Sequence, residues 1–165
     1  MDELDDEQRA LIPHAQNELT LHCIYKGLEF GPTVTLATVL PYQLYRSRKN
    51  LSLIPILSRV GTLTIYGTIT SVILSVAMMY GKLASENYNQ YRIWDRAYRL
   101  RNSASQQRTD RFALVSSVVG GLTGLIVGLP KRGSPLSAAK GSLMAIPFGI
   151  LAHVLIKSPS VSPTK

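Results

Sequence analysis

Cysteine and acidic residues are scarce in this sequence. The single cysteine, Cys23, cannot form a disulfide within the chain, so cysteine usage gives no information on the redox compartment. Only four acidic residues follow residue 18, which leaves few carboxylates for acid-base catalysis or metal binding. His14, His22 and His153 lack the spacing of three or four residues that would place two ligands on one helix face. We therefore predict no catalytic residue, no metal site and no cofactor.

We also expect no phosphate-binding loop and no N-terminal targeting segment. Lys131 lies three residues after Gly128 with Pro130 between them, whereas a Walker A loop places its lysine directly after a glycine. The sequence contains no GxGxxG motif either. The N-terminus is acidic, the opposite of an arginine-rich transit peptide, and has no basic segment followed by an apolar one. If the protein is imported into an organelle, we expect an internal targeting signal.

Charge is distributed very unevenly along the chain. Residues 1–18 contain six acids and one arginine, a net charge of −5. Because the whole chain carries +8, the remaining residues carry +13. Such asymmetry predicts an anionic partner, either nucleic acid or a membrane surface. The basic residues gather between uncharged runs instead of covering one folded face, which favours the membrane and argues against nucleic acid.

Long uncharged runs are the most informative feature present. Residues 60–81 and 112–130 form runs of 22 and 19 residues, and shorter runs of 16 occupy 30–45 and 141–156. About 20 apolar residues cross a bilayer core of roughly 30 Å. We predict an all-α integral membrane protein with about four transmembrane helices, near 25–45, 60–81, 112–130 and 136–156. A β-barrel is the alternative, since "TLTIYGTITSV" alternates, but the alternation does not persist.

These spans define a simple organisation. An acidic polar tail is predicted over residues 1–20, a membrane domain over 21–157, and a disordered Ser- and Pro-rich tail over 158–165. No internal repeat and no second soluble domain are expected.

The connector between the second and third spans predicts an amphipathic helix near residues 84–102. Aromatic rings occupy one side of this helix and guanidinium groups another; these residues are Tyr91, Trp94, Tyr98, Arg92, Arg96 and Arg99. We expect the helix to lie along a membrane interface or to dock on a neighbouring subunit. The alternative is a solvated helix stabilised by Asp95 with Arg92 and Arg99.

Glycines at four-residue spacing predict close helix packing. Gly120, Gly124 and Gly128 form a groove along one helix face, and Gly27 and Gly31 repeat the spacing in the first span. Such grooves allow two helix backbones to approach in lipid, where dispersion contact replaces the hydrophobic drive. The partner could be another span of this chain or a neighbouring subunit.

Two charged features adjoin the spans. Glu29 could be an intramembrane proton relay or the partner of a cation, but we favour a position at the interface beside Lys26. Basic residues beyond the spans could share an anionic headgroup such as that of cardiolipin; the candidates are Arg46, Arg48, Lys49, Lys131 and Arg132.

Residues 108–151, "RTDRFALVSSVVGGLTGLIVGLPKRGSPLSAAKGSLMAIPFGIL", resemble the second half of the Tim17/Tim22/Tim23 group of mitochondrial membrane proteins. The shared features are a charged stretch, a GxxxG helix, a connector with Arg-Gly and a fourth span rich in small residues. The first half departs from the group, because Gly61 and Gly67 are six residues apart and no second cysteine exists. These departures argue against protein translocation.

The group also includes a non-translocating branch, to which this chain is most similar in size and basic character. This branch contains the Tim17-like accessory subunit of mitochondrial respiratory complex I, and small fungal subunits of the NUXM type are similar. The resemblance implies a multi-pass inner-membrane protein without cofactor or active site, with its tails in the intermembrane space. Such a subunit packs against other membrane subunits and lipid and supports assembly of the proton-pumping arm. The alternative is a Tim17-like component of a protein translocase.

Overall fold

The computed structural model describes residues 14–48, 52–127 and 134–156, which form five α-helices. In chain order these are α1 (Ala15–Arg46), α2 (Leu53–Ser85), α3 (Gln90–Arg101), α4 (Ala104–Val127) and α5 (Pro135–Ile156). No β-strand occurs in these ranges, so the predicted all-α class is confirmed for them. The predicted tails before residue 14 and after residue 156 lie outside the described residues.

Three of the helices, α2, α4 and α5, are long and apolar enough to cross a membrane. The predicted first span, 25–45, does form helix, within the 32 residues of α1. However, α1 contains Lys26, Glu29 and two internal prolines, and it is not among the candidate spans found in the described ranges. The candidate spans therefore number three instead of about four, because polar and charged side chains dilute the apolar character of α1.

Most helices extend beyond the apolar runs that predicted them. α2 covers 53–85 against the predicted 60–81, α4 begins at residue 104 instead of 112, and α1 already begins at residue 15, inside the predicted polar tail. Backbone hydrogen bonding continues through these polar segments, because water or ion pairs can satisfy their side chains. In contrast, the predicted helix near 84–102 is shorter in the structure, at 90–101.

A tight turn separates α2 from α3 and explains this shortening. Asn87 and Tyr88 both have positive φ angles, of 51° and 49°. The N–H of Asn87 donates to the carbonyl of Ala84, and the N–H of Tyr88 donates to that of Leu83, at 2.9 Å. This is the Schellman pattern, which satisfies the last carbonyls of a helix and ends it. The Asn89 side chain then caps α3 by accepting from the N–H of Tyr91 at 3.0 Å.

The helices pack as two antiparallel pairs. The most extensive contacts join α1 to α2 and α4 to α5, and α5 also contacts both α1 and α2. α3 lies against α1. Between α2 and α5, the aliphatic stem of Lys140 covers Gly61, and its ammonium group donates to the carbonyl of Ser58 at 3.3 Å.

Large side chains form two separate clusters at opposite ends of the α1–α2 pair. One cluster comprises Ala15, Leu19, Met79, Leu83, Ile93 and Ala97, and the other comprises Leu36, Ile56 and Val60. Leu19 and Leu36 are 17 residues apart in α1, or about 25 Å along the helix axis. Between the clusters, the interface contains small residues and the buried Thr64 and Thr68, whose hydroxyls donate to carbonyls four residues earlier.

The outer surface of the candidate spans is apolar. Ile73 of α2, Val118 of α4 and Leu155 of α5 are 65%, 57% and 75% exposed. Helices that pack in lipid are expected to place small residues in their contacts and large apolar residues on their outer surface. In α4 only Ala113 and Gly121 are buried, so most of the large apolar residues that follow residue 112 lie on its surface.

We expect Gly31→Ala to destabilise the fold, by about 1–3 kcal/mol in the free energy of unfolding. A Cβ at residue 31 would lie 2.6 Å from the Thr68 Cα, so the α1 and α2 backbones would have to separate. Gly81→Ala is the matched control, because a Cβ there meets nothing within 4 Å. Alanine also favours helix over glycine by up to about 1 kcal/mol, so this variant should be neutral or stabilised.

Denaturant or SDS titration followed by circular dichroism would measure both variants in the same detergent. Equal stability of Gly31→Ala and the wild type would contradict the proposed backbone contact.

Candidate functional site: packing surfaces and a charged cluster

The first packing surface joins α1 to α2 through Gly27 and Gly31. A Cβ at Gly27 would lie 2.6 Å from the Cα of Val72. A Cβ at Gly31 would lie at the same distance, 2.6 Å, from the Cα of Thr68. A side chain cannot be accommodated at either distance unless the backbone moves. These two predicted glycines therefore lie directly on the contact line between α1 and α2.

The second packing surface joins α4 to α5. Gly120 faces Gly141 and Ala145, and a Cβ at Gly124 would lie 3.2 Å from the Cα of Gly141. The glycine groove of α4 thus contacts a helix of the same chain, which is one of the two partners that the spacing allowed. Gly128, the third glycine of the predicted groove, lies outside the described residues.

A charged cluster lies where α1 approaches α4. The Lys26 ammonium contacts Glu29 Oε2 at 2.6 Å and Asp110 Oδ1 at 2.6 Å. Glu29 is only 6% exposed, and its second oxygen, Oε1, is buried without a hydrogen-bond partner among the described residues. One lysine therefore pairs with two carboxylates that belong to different helix pairs. Glu29 therefore lies beside Lys26 and is buried within the chain, and its position at the membrane interface stays a prediction.

Two further contacts extend this cluster into a ladder. Arg101 donates to Glu18 at 3.0 Å, and His22 Nε2 lies 2.9 Å from the Gln106 side-chain nitrogen. Together with Lys26–Asp110, these pairs step along α1 four residues at a time. We call the three pairs the polar ladder. Arg101 is the last residue of α3, whereas Gln106 and Asp110 belong to α4, so the ladder joins α1 to both helices. α1 and α4 meet through the His22 and Lys26 pairs, and their backbones are not among the closely packed pairs.

His22 lies within hydrogen-bond distance of Gln106, and the tautomer of its imidazole decides which of the two groups donates. Burial lowers the pKa of His22 below 6.5, and the charge of Lys26 lowers it further, while Asp110 acts in the opposite direction. His22 precedes the predicted first span, so it can exchange protons with water.

All acids in the described residues have a basic partner. Besides the pairs above, Glu86 contacts Arg96 at 2.7 Å and Arg92 at 3.7 Å, and Asp95 contacts Arg99 at 2.9 Å. The predicted Asp95–Arg99 pair is present, but Arg92 pairs with Glu86 instead of Asp95. No group of three or more potential metal ligands occurs in the described part of the chain.

The amphipathic helix α3 docks on its own chain. Ile93 and Ala97 are its buried residues and pack with Leu19 and Leu83, while Trp94 is partly buried against the same cluster. Tyr91 and Tyr98 are 42% and 41% exposed. Of the aromatic residues predicted to dock, only Trp94 packs against the cluster, and the two tyrosines are exposed. The principal contact comes from Ile93 and Ala97. Arg92, Arg96 and Arg99 form the ion pairs described above.

The predicted headgroup residues are only partly described. Arg46 approaches the Tyr42 hydroxyl at 3.5 Å, and Arg48 lies over the Tyr45 ring at 4.8 Å, both at the C-terminal end of α1. Lys49, Lys131 and Arg132 lie outside the described residues. The remaining histidines lie apart, with His14 exposed and the His153 ring 5.3 Å from that of Phe112.

Asp110 is the residue of this site that the sequence did not single out. It lies 84 positions from Lys26, and no local spacing connects them. The available signal is the scarcity of acidic residues, because Asp110 is one of only four acids after residue 18 and lies just before an apolar run. A carboxylate there needs a cation, and Lys26 is the cation nearest to the start of the first predicted span.

These features define an all-α protein with three helices able to cross a membrane, held together by small-residue contacts and a polar ladder. Residues 2–156 match the family described as "Protein of unknown function (DUF1757)", and the chain belongs to this family. Comparison with curated proteins gave no match. The family match covers all five helices, from Ala15 to Ile156.

We expect Lys26→Met to destabilise the protein by about 1–3 kcal/mol, since it leaves the buried Glu29 carboxylate without a cation. Adding Glu29→Gln should recover part of this loss, because the more deeply buried of the two unpaired carboxylates is then removed and only the more exposed Asp110 is left without Lys26. Arg99→Met is the control, since it breaks a pair exposed on both sides and should cost less than about 1 kcal/mol. Chemical unfolding of the single and double variants would measure these energies. A Lys26→Met variant as stable as Arg99→Met would contradict the structural role of the cluster.

We also expect stability to fall at acidic pH through His22. Because the folded-state pKa is lowered, its contribution is complete above pH 6.5 and is lost as pH falls through the folded value. His22→Gln should therefore flatten the decline of the thermal midpoint between pH 7 and pH 5, and His14→Gln should leave it unchanged. Thermal unfolding at several pH values would test this, and identical slopes for wild type and His22→Gln would refute it.

Proposed function

We propose that this protein is a non-catalytic structural subunit of a large membrane assembly. The observation that carries the proposal is the division between its surfaces. The glycine contacts are used within the chain, at α1–α2 and α4–α5, whereas the outward faces of α2, α4 and α5 remain apolar. Such outward faces suit lipid and the helices of neighbouring subunits.

The assembly that we propose is the membrane arm of mitochondrial NADH:ubiquinone oxidoreductase, complex I. This step rests on the resemblance of residues 108–151 to the Tim17/Tim22/Tim23 group and its non-translocating branch. The α4–α5 geometry supports it, because the GxxxG helix and the small-residue helix of that stretch pack directly on each other. In this role the chain contributes helix packing and lipid contact and needs no cofactor.

The exposed surface of α4 is the best candidate for contact with other subunits. Leu114, Val118 and Leu122 follow one stripe of the helix, with Val115 and Val119 beside them, and all five are more than half exposed. Branched apolar side chains at these spacings form ridges that fit the grooves of another helix. We propose that this surface packs against core membrane subunits.

The alternative, a component of a protein translocase, requires a continuous polar face along the spans. Two of the hydroxyl residues that could supply it are used in helix contacts instead. Thr68 lies against Gly31 and donates to the carbonyl of Thr64, and Ser116 lies against Gly149 and donates to the carbonyl of Ala113. These positions favour the structural subunit.

We further propose that the protein lies in the mitochondrial inner membrane. If α1 crosses the bilayer together with the three candidate spans, both tails and α3 lie on one side, which the resemblance implies is the intermembrane space. Arg46 and Arg48 then lie on the matrix side, where basic residues beside helix ends bind anionic headgroups such as cardiolipin.

Gly124→Leu should impair assembly of the respiratory complex without changing the turnover of complex that does assemble. The larger side chain cannot be accommodated beside Ser137 and Gly141, so the α4–α5 pair would separate and the outer α4 surface would change shape. Native gel electrophoresis with in-gel NADH oxidation would measure the amount of assembled complex. Gly81→Leu is the control, since it points into open space within the chain.

Two results would overturn the proposal. One is the absence of the tagged wild-type chain from the NADH-oxidising assembly. The other is crosslinking of the chain to a presequence-bearing precursor arrested in transit, which would favour the translocase.

A further inference from the structure

A groove of about 420 Å³ lies between α1, α2 and α3, at the end of the molecule where the chain begins. Its apolar wall is formed by Leu19, Cys23, Met78 and Met79. Three basic residues, Lys26, Lys82 and Arg96, also line it. None of these three is among the headgroup candidates from the sequence, and the two candidates that the structure describes, Arg46 and Arg48, lie at the opposite end of α1.

The groove combines an apolar channel with a positive rim. Ser75, Met79 and Lys82 follow one face of α2, so the groove runs about 10 Å along the helix from Ser75 towards the polar end. Met78 is 67% exposed and opens the groove towards the surface that faces lipid. Methionine is flexible and adapts well to an irregular acyl chain.

Within the described residues, the charges at the polar end of the groove are not balanced. Arg92, Arg96 and Lys82 provide three positive charges there, and Glu86, which contacts both arginines, provides one negative charge. The third lining cation, Lys26, is already paired with Glu29 and Asp110. Lys82 is exposed and pairs with no carboxylate in the described residues. Two positive charges therefore remain for an anion at the polar end of the groove.

We propose that this groove binds one anionic phospholipid, with its phosphate between Lys82 and Arg96 and an acyl chain along Met78 and Met79 towards Ser75. Basic pockets beside membrane helices bind anionic headgroups in this way. The proposal rests on the membrane insertion in the proposed function, but not on the identity of the surrounding complex.

The size of the groove favours a lipid chain over a helix from another subunit. A helix 10–12 Å in diameter occupies roughly 800–1,200 Å³ over a length of 10 Å. This is at least about twice the volume of the groove. An acyl chain is much thinner, and a phosphate also uses the two available positive charges, which an apolar helix would leave unpaired.

Trp94 provides a nearby reporter, because it is the only tryptophan in the sequence and packs against the cluster that contains Leu19 and Met79, two residues of the groove wall. The full chain would be reconstituted in vesicles that contain phospholipids with dibrominated acyl chains, which quench tryptophan on contact. Brominated phosphatidylglycerol and brominated phosphatidylcholine would be compared at equal mole fractions. We expect half-maximal quenching at about fivefold less of the anionic lipid, since one lysine near a headgroup contributes about this factor.

Two variants separate the charge from the cavity. Lys82→Gln should remove the preference for the anionic lipid, whereas Arg59→Gln, which removes an exposed charge about 35 Å away on the same helix, should retain it. Ser75→Phe should fill the inner end of the groove and reduce quenching by both lipids while the rim stays intact.

Equal quenching of the wild type by both lipids, or a preference that survives Lys82→Gln, would overturn the lipid site while leaving membrane insertion intact. If neither lipid quenches Trp94 and the protein does not float with the vesicles, the protein is not inserted in the membrane. That result would overturn the membrane insertion on which the proposed function depends. Strong anionic selectivity that Ser75→Phe leaves unchanged would place the lipid elsewhere and overturn the groove.

Discussion

Close contact between helix backbones is the constraint on which this structure depends. In lipid the exclusion of water does not bring helices together, so stability has to come from dispersion contact over short distances. Gly31 against Thr68 and Gly120 against Gly141 provide that contact in the two helix pairs. Because the pairs close through small residues, their large apolar side chains are left on the outside. The interior packing and the outer surface are therefore two results of one arrangement.

The polar ladder has a different role, since it connects the two pairs without close backbone packing. Lys26 contacts carboxylates on both α1 and α4, and its loss affects both sides at once. Ion pairs of this kind require a defined distance and direction, whereas apolar contacts tolerate sliding. The glycine surfaces thus set how closely the helices pack, and the ladder sets how the pairs are aligned at the polar end.

Sequence reasoning succeeded where a local pattern determines the structure. Uncharged length predicted helices at all four spans, and four-residue spacing placed Gly27 and Gly31 on one face. The sequence pattern could not predict which helix contacts the α4 glycines, because a glycine groove can pack against any helix that presents small residues. On α3, the positions around Trp94 and those around Ile93 are both apolar, and only the contact with Leu19 and Leu83 selects between them. The Lys26–Asp110 contact spans 84 residues and has no local signature.

The same separation has a consequence for biosynthesis. The ladder joins residues 18–26 to residues 101–110, so it cannot close until most of the chain has been synthesised. Until then, the Lys26–Glu29 contact within α1 is available to keep both charges paired, since it needs only one helical turn. The α1–α2 pair can form earlier, because its two helices are adjacent in the chain. The final alignment of the molecule is therefore a late event, completed when the start of α4 arrives beside a helix made long before it.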